Sequence, residues 1–159
     1  MNTKTNAIRL LEQKNISFII HDYLESGAIS AVEVAEALGE DPARLFKTLL
    51  TKAKSGTYYV FMVPGDGSLD LKKAARAVGE KSLQMLKNQE LFPLTGYVHG
   101  GCSPIGMKKR FPTVIHHTAR NYDTIFISAG ALGLQLEISV VELQKAVSLD
   151  FYDLRVYPF

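Results

Sequence analysis

Two short apolar runs with a turn between them constrain the fold more than any other feature of this sequence. Residues 46–51 (FKTLLT) and 58–63 (YYVFMV) are separated by six residues that include Gly56. Apolar runs of this length, rich in aromatic and branched residues and joined by a glycine-containing turn, are typical of paired antiparallel strands. The sequence therefore favours a sheet with antiparallel pairs over a purely parallel, doubly wound one.

Capping signals mark the helices. Ser30 and Glu33 have the spacing of a capping box, Ile29 is placed to pack on Val34 as a hydrophobic staple, and Gly39 follows as a stop. Other helices are predicted at residues 5–14, from Asp70 to Gly79, near Asn88 to Leu91 before Pro93, and from Ser139, which forms a second capping box with Glu142, to about Ala146.

Further strands are predicted along the rest of the chain, at residues 16–20, 113–116, 124–128, 134–138 and 147–151. Strands and helices are interspersed without strict alternation. We therefore predict an α/β (α+β) fold with a curved, mixed, largely antiparallel sheet or partial barrel flanked by helices. A length of 159 residues with 47% hydrophobic content suits one domain over residues 1–159.

Composition limits the classes of function. No run of about 18 apolar residues is present, and the first residues lack the layout of a secretory signal, so we expect a cytoplasmic protein with no membrane partner. One cysteine cannot form an internal disulfide framework or a cysteine-rich metal site. The sequence contains no phosphate-binding loop, dinucleotide fingerprint, nucleophile elbow or paired carboxylates. We expect neither a cofactor nor a metal.

Two features carry candidate chemistry. Residues 100–106 (GGCSPIG) form a glycine-rich turn between apolar segments, and such turns can direct backbone amides toward a ligand oxygen. Lys47 lies inside the first apolar run, where its ammonium must reach water, a partner or a cleft. An edge-strand lysine that reaches solvent and a functional lysine both fit this pattern.

The other reactive residues give weaker signals. Cys102 lies three residues after His99, but this spacing is not a signature of a nucleophile and its base. His116 and His117 are adjacent, so in a strand they are expected to point to opposite faces and not to share a metal.

Basic residues form two groups, at Lys72, Lys73, Arg76 and Lys81 and at Lys108, Lys109 and Arg110. Exposure to solvent on the protein surface is enough to explain both groups. The second group also adjoins the glycine-rich turn, where it could hold a phosphate-bearing substrate.

Four segments in order carry a resemblance to a known family. Residues 46–49 (FKTL), 69–75 (LDLKKAA), 95–106 (TGYVHGGCSPIG) and 108–109 (KK) closely resemble the YbaK/EbsC family over nearly the whole chain. These proteins are free-standing editing domains related to the insertion domain of bacterial prolyl-tRNA synthetases, and members hydrolyse cysteine mischarged onto proline tRNA.

The resemblance implies a trans-editing aminoacyl-tRNA deacylase that acts on Cys-tRNA(Pro), with the substrate's own thiol attacking the ester. Lys47 and Gly101 are the implied catalytic residues. The implied substrate-binding residues are Tyr23, Ser30, Phe46, Thr48, Gly100, Ser103, Pro104 and Gln135. The expected tRNA contacts are Lys72, Lys73, Lys108, Lys109 and Arg110. Mischarged tRNA is the expected partner, prolyl-tRNA synthetase is a candidate partner, and the protein is expected to be a monomer.

Three positions depart from the family pattern. Ser30 stands where members generally have a bulky aromatic residue, Cys102 replaces a common aliphatic, and Gln135 stands where members often have an acid. The preferred amino acid therefore stays open. The alternatives are a deacylase for another small amino acid, a non-catalytic tRNA- or nucleotide-binding regulator of the same fold, and a thiol enzyme that uses Cys102.

Overall fold

The computed structural model describes residues 4–157, so residues 1–3 and 158–159 of the predicted domain lie outside the described part. The helices are α1 (Asn6–Gln13), α2 (Ala31–Leu38), α3 (Leu71–Val78), α4 (Asn88–Thr95) and α5 (Val140–Gln144). The strands are β1 (Ile19–Asp22), β2 (Phe46–Ala53), β3 (Tyr58–Pro64), β4 (Leu83–Met85), β5 (Thr113–His116), β6 (Ile125–Ser128), β7 (Leu134–Ile138) and β8 (Leu149–Tyr152). Short 3-10 helices cover Leu24–Ser26, Pro42–Arg44 and His117–Asn121.

The strands form two open sheets. The smaller has the order β1-β7-β6 and is antiparallel, whereas the larger, β4-β2-β3-β5-β8, is mixed because β5 runs parallel to both β3 and β8. The hairpin of β2 and β3 pairs from Phe46 opposite Pro64 to Lys52 opposite Tyr58, as the sequence predicts. The mixed α+β fold is thus confirmed, but neither sheet closes into a barrel.

Local signals explain most helix boundaries. Ser30 accepts the N–H of Glu33, and Glu33 accepts the N–H of Ser30, which confirms the capping box at α2. The predicted staple is wrong, because Ile29 is 79% exposed. Ser139 caps α5 alone, because the carboxylate of Glu142 is bonded to Ser17 and Lys145 instead.

Helix α4 continues past Pro93, where the sequence predicted a break. A proline removes one N–H donor and crowds the preceding turn, yet Gly96 in the left-handed region ends the helix only after Thr95. Among the described residues, no helix has the length and apolar character that crossing a bilayer requires.

The main core lies between the two sheets. Phe46, Met62 and Ile115 of the larger sheet pack with Ile127 and Leu136 of the smaller one. A second cluster covers the other face of the larger sheet, where α3 packs against β3 and β5. Leu45 bridges to Phe126, so β2 enters the large sheet directly beside the small one. The site described below lies at this junction.

Candidate functional site

A cleft opens along the free edge of β2. β4 pairs with β2 only from Thr51 to Ala53, and Leu45 bridges to Phe126, so among the described residues positions 46–49 have no paired strand on that side. The cleft encloses about 180 Å³. Its walls come from the start of α2, the edge of β2, the glycine-rich turn and the small sheet; they include Tyr23, Ile29, Ser30, Ala31, Val34, Leu45, Phe46, Lys47, Thr48, Leu49, Leu91, His99, Gly100, Cys102, Ser128 and Gln135.

The structure brings many of the predicted site residues together. The sequence did not show whether Lys47 and the glycine-rich turn meet, and in the structure Lys47 and Gly100 line the same cleft. The other predicted substrate-binding residues that line it are Tyr23, Ser30, Phe46, Thr48 and Gln135. Gly101, Ser103 and Pro104 lie outside its lining.

Of the Asp, Glu, Lys and Arg residues that the structure describes, Lys47 alone lines the cleft. Its side chain is half-buried and makes no ion pair or hydrogen bond within the described part of the chain. Burial lowers the pKa of the Lys47 ammonium, and the nearby carboxylate of Asp66 opposes that shift. The cleft therefore holds an uncompensated cation that an anionic ligand would neutralise.

Two acceptors on the cleft walls also lack partners. Gln135 is only 5% exposed, and both its Oε1 and the Thr48 Oγ1 are buried without a hydrogen bond. A buried polar group without a partner costs about 1–3 kcal/mol, so a ligand that pairs with these two acceptors would gain binding free energy. Ser128, the strand partner of Gln135, accepts the N–H of Gly130 and keeps its own proton free to donate.

Glycine is required at both positions that open the turn. Gly100 has φ +85°, and a Cβ there would lie 3.0 Å from Leu132. A Cβ at Gly101 would lie 3.1–3.3 Å from the backbone of Ala131 and Leu132. The Gly101 amide donates to Val98 O at 2.9 Å, whereas the Gly100 amide has no hydrogen-bond partner within the described residues. The free amide of the pair is therefore that of Gly100.

The rest of the turn serves other contacts. Ser103 is fully buried, and its hydroxyl accepts the N–H of Ile105 at 3.2 Å. Pro104 lines a second cleft with Lys109 and Arg110, on another surface of the turn. These residues therefore shape the turn rather than contact the contents of the first cleft.

The thiol of Cys102 faces the cleft but is poorly suited to attack a substrate. Cys102 is 6% exposed, and burial raises its pKa to about 12. The thiolate is the nucleophilic form, so this thiol is almost entirely protonated near neutral pH. It packs with Leu50, Leu91 and Tyr97, which favours a role of Cys102 in core packing over a role as the nucleophile of a thiol enzyme.

The predicted tRNA-contact residues all lie outside the cleft lining. Lys73 is engaged within the protein: its ammonium is 2.9 Å from Asp153 and 4.0 Å from the ring centroid of Tyr157. Lys72 is exposed on α3. Lys108 lies over the ring of Phe92, and Lys109 and Arg110 are exposed beside it.

The two adjacent histidines do not point apart, so that prediction is wrong. β5 ends at His116 and a 3-10 helix begins at His117, which places their rings 4.6 Å apart. With Asp153 they form the candidate metal-ligand group of the described residues, with ligand atoms within 4.8 Å. However, His116 Nδ1 accepts the N–H of Leu154, and Asp153 is paired with Lys73. The Lys73 charge opposes a cation at this place.

Sequence reasoning missed three residues of the cleft region. Ser128 ends β6, but its place opposite Gln135 depends on a strand register that the sequence does not give. Asp66 follows β3 in a turn between Gly65 and Gly67, and the amide of Gly65 donates to Leu45 O, which brings this turn to the start of β2. His99 was considered beside Cys102 but not as a substrate-binding residue, and it lines the cleft.

Comparison with known proteins fits this geometry. A family model described as the aminoacyl-tRNA editing domain matches residues 25–146. The chain belongs to this editing-domain family. The YbaK/EbsC resemblance of the sequence is thereby confirmed.

Individual relatives in the family support the same assignment. A protein of Enterococcus faecalis, named "Putative Cys-tRNA(Pro)/Cys-tRNA(Cys) deacylase EbsC", is 44% identical over 137 residues, which are 86% of this chain and 84% of that protein. A proline–tRNA ligase of Thermosipho melanesiensis is 33% identical over 75 residues, which are 47% of this chain and 13% of the ligase. A solved structure described as "a putative trans-editing enzyme for prolyl tRNA synthetase" has a TM-score of 0.84 and 25% identity, with 96% of each chain covered.

Proposed function

We propose that this chain is a trans-editing deacylase that releases the amino acid from mischarged tRNA, with Cys-tRNA(Pro) as the preferred substrate. The observation that carries the proposal is that three groups without a partner among the described residues belong to residues that line one cleft. These are the Lys47 ammonium, the Gly100 amide and the Gln135 carbonyl. The Lys47 ammonium would attract the phosphate of the terminal nucleotide. The Gly100 amide would donate to an ester carbonyl, and the Gln135 carbonyl would accept from the amino group of an amino acid.

In this scheme Lys47 orients the 3′-terminal nucleotide and its ester. The Gly100 amide donates to the ester carbonyl while negative charge develops on that oxygen. Preorganised donors of this kind are worth about 3–4 kcal/mol in known oxyanion sites. Gly101 contributes by allowing the turn to lie against the backbone of Ala131 and Leu132.

No protein nucleophile is needed for a cysteinyl ester. The cysteine thiol attacks its own ester carbonyl, a C–S bond forms, the C–O bond to the ribose breaks, and the ribose oxygen takes up the thiol proton. For other amino acids, water attacks in place of the thiol. The buried and protonated Cys102 is consistent with this division of labour.

In this proposal, uncharged hydrogen-bond acceptors of the cleft contact the amino acid that is esterified to the tRNA. The cleft lining contains no carboxylate, so we assign the α-ammonium to the Gln135 carbonyl and the Thr48 hydroxyl. Tyr23, Ser30 and Phe46 then enclose the side chain. Because Ser30 is small, this pocket would also admit other small amino acids, and a pocket wall separates such side chains by only about 1–3 kcal/mol per methylene.

Outside the cleft, the exposed cations at Lys72, Lys108, Lys109 and Arg110 are proposed to contact the tRNA backbone. We propose that residues 1–159 act as one monomeric editing domain in the cytoplasm, where it meets mischarged tRNA before or after release from prolyl-tRNA synthetase.

The test is a deacylation assay with a panel of charged tRNAs. Wild type and Cys102→Ser are incubated with Cys-tRNA(Pro), Ala-tRNA(Pro) and Pro-tRNA(Pro), and loss of the aminoacyl bond is followed. Both proteins are expected to deacylate Cys-tRNA(Pro) and to spare Pro-tRNA(Pro). Binding without hydrolysis of any substrate would favour a regulatory protein, and loss of activity in Cys102→Ser would favour a thiol enzyme.

A further inference from the structure

An exposed phenylalanine with a lysine on its ring lies beside the cleft. Phe92 is 55% exposed on α4, and the Lys108 ammonium lies 5.2 Å from its ring centroid. The preceding residue, Leu91, lines the cleft. Successive Cα atoms are about 3.8 Å apart, so the backbone of Phe92 lies next to the cleft wall, while its ring lies outside the lining, where the part of a ligand that leaves the cleft would pass.

The backbone fixes this pair relative to the cleft. The N–H of Lys108 donates to Thr95 O at 3.0 Å, and the Thr95 hydroxyl donates to Leu91 O at 2.8 Å. The stem of Lys108 packs over Gly96, where a Cβ would lie 3.5 Å from it. These contacts hold the backbone of Lys108 against the end of α4, next to the residue that lines the cleft.

We propose that Phe92 and Lys108 form a platform for the nucleotides that precede the terminal adenosine of the charged tRNA. This inference rests on the proposed function and names a contact that the cleft itself does not provide. A base would stack on the Phe92 ring, as bases stack on aromatic side chains in single-strand binding proteins whatever their sequence. The Lys108 ammonium, on its flexible stem, would move from the ring to a phosphate.

Charge favours nucleic acid over an apolar protein partner at this surface. Lys108, Lys109 and Arg110 are consecutive exposed cations, and within the described residues none of them is paired with an acid. Phosphates would complement this charge. An apolar protein surface placed on Phe92 would instead have to desolvate the Lys108 ammonium on the ring, which is costly.

Binding of an uncharged RNA tests the platform without requiring hydrolysis. The probe is a 5′-labelled single-stranded oligonucleotide that ends in CCA, followed by fluorescence anisotropy at several salt concentrations. Phe92→Leu is expected to raise the Kd about tenfold, equivalent to about 1.4 kcal/mol. Phe92→Tyr should retain wild-type affinity. Lys108→Ala should reduce the slope of log K against log salt by about 0.7, the value for one phosphate contact on a single strand.

Matched controls are available on other surfaces. Tyr152 is an exposed aromatic residue on β8, at 48% exposure, and Lys14 is an exposed lysine at the end of α1. Tyr152→Leu and Lys14→Ala should leave the Kd and the salt slope unchanged.

Kinetics then separate this platform from the cleft. Phe92→Leu should raise the KM for Cys-tRNA(Pro) about tenfold and leave hydrolysis of the cysteinyl ester of adenosine, which lacks the preceding nucleotides, unchanged. If Phe92→Leu binds the oligonucleotide as wild type does, the platform is overturned, and a protein partner becomes the better explanation of the ring. If binding depends on Phe92 but no ester is hydrolysed, the platform stands and the proposed deacylase function fails.

Discussion

Replacement of one side chain in the cleft should affect the stability and the activity of the protein in opposite directions. Gln135 is buried with an unpaired Oε1 in the unliganded protein. Such a group lowers stability by about 1–3 kcal/mol unless a ligand pairs with it. Natural proteins retain costs of this kind mainly at functional sites.

Gln135→Leu removes the unpaired amide and keeps most of the side-chain volume. We expect the free energy of unfolding to stay unchanged or to rise by about 1 kcal/mol, while kcat/KM for Cys-tRNA(Pro) falls about tenfold. Urea unfolding and steady-state kinetics measure the two effects. Gln84→Leu, at an exposed position of β4, should change neither. A destabilised Gln135→Leu variant with normal kinetics would assign Gln135 to the core instead.

Asp66 is expected to act on the reaction through Lys47. Burial lowers the pKa of Lys47 and the Asp66 carboxylate raises it, so the two effects oppose each other. If the reaction needs the charged ammonium, activity declines as the pH rises through the Lys47 pKa, below the usual lysine value of about 10.4. Asp66→Asn should therefore move the alkaline limb of the kcat/KM profile to lower pH.

The profile is measured after subtraction of spontaneous ester hydrolysis. Asp123→Asn, at an exposed position beside β6, is the control and should leave the profile unchanged. An Asp66→Asn profile identical to that of wild type would show that the two groups do not interact across the start of β2.

At the scale of elements, the stability of the protein should depend on pH through His116, where β5 pairs with β8. His116 is 2% exposed, and burial lowers its pKa to about 4, with the neighbouring His117 acting in the same direction. In the unfolded chain the pKa is about 6.5, so the unfolded state binds more protons between these values. Stability is therefore complete above pH 6.5 and declines as the pH falls toward 4, by up to about 3 kcal/mol.

His116→Asn tests this dependence, because its amide oxygen can still accept the N–H of Leu154. We expect urea unfolding between pH 6.5 and 4.5 to show a flatter decline for this variant than for wild type. His99→Asn, at an exposed position, should keep the wild-type slope. Equal slopes for wild type and His116→Asn would mean that His116 takes up a proton as readily in the folded as in the unfolded protein, which contradicts this account.

Elements whose signals are local were predictable from the sequence. The capping box at Ser30 and the hairpin of β2 and β3 depend on residues close in the chain, and both form as predicted. The staple at Ile29 and the break at Pro93 did not form, since Ile29 is exposed and α4 continues to Thr95. The strand at residues 113–116 was predicted with its observed bounds, but the opposite faces of His116 and His117 were not observed, because His117 lies in the following 3-10 helix, where strand alternation does not apply.

At the scale of the molecule, one arginine joins the two sheets. Arg44 ends the 3-10 helix before β2, and its Nε donates to Thr124 O at 2.8 Å. Its guanidinium also contacts Glu40 at 2.9 Å and Glu137 at 3.3 Å, and lies 5.0 Å from the ring centroid of Phe126. These contacts hold the strand of Lys47 beside the strand of Gln135.

Arg44→Lys keeps the charge but loses the planar set of donors. We expect the free energy of unfolding to fall by about 2 kcal/mol, with a larger proportional loss of kcat/KM because the cleft walls separate. Thermal and urea unfolding give the first quantity and deacylation gives the second. Arg9→Lys, on the exposed side of α1, should be neutral. Unchanged kinetics in a destabilised Arg44→Lys variant would show that the cleft does not depend on this contact.

The site shows where sequence reasoning stops. Lys47 and the glycine-rich turn stood out because their residue types are unusual in their surroundings. Their convergence could not be derived, because it depends on which edge of β2 stays unpaired and on how two sheets meet. Likewise, the sequence did not show which amide of Gly100 and Gly101 is free; within the described residues it is that of Gly100, because the Gly101 amide donates to Val98 O.

The most direct test of the account is the single-turnover rate of deacylation of Cys-tRNA(Pro) by Lys47→Met compared with wild type. Methionine keeps an unbranched side chain of similar length and removes the half-buried charge, so the fold should be as stable as wild type or more so. The account predicts a loss of at least about 100-fold in rate, in line with the removal of one preorganised charge from a reaction site. A folded Lys47→Met protein that deacylates at the wild-type rate would contradict it.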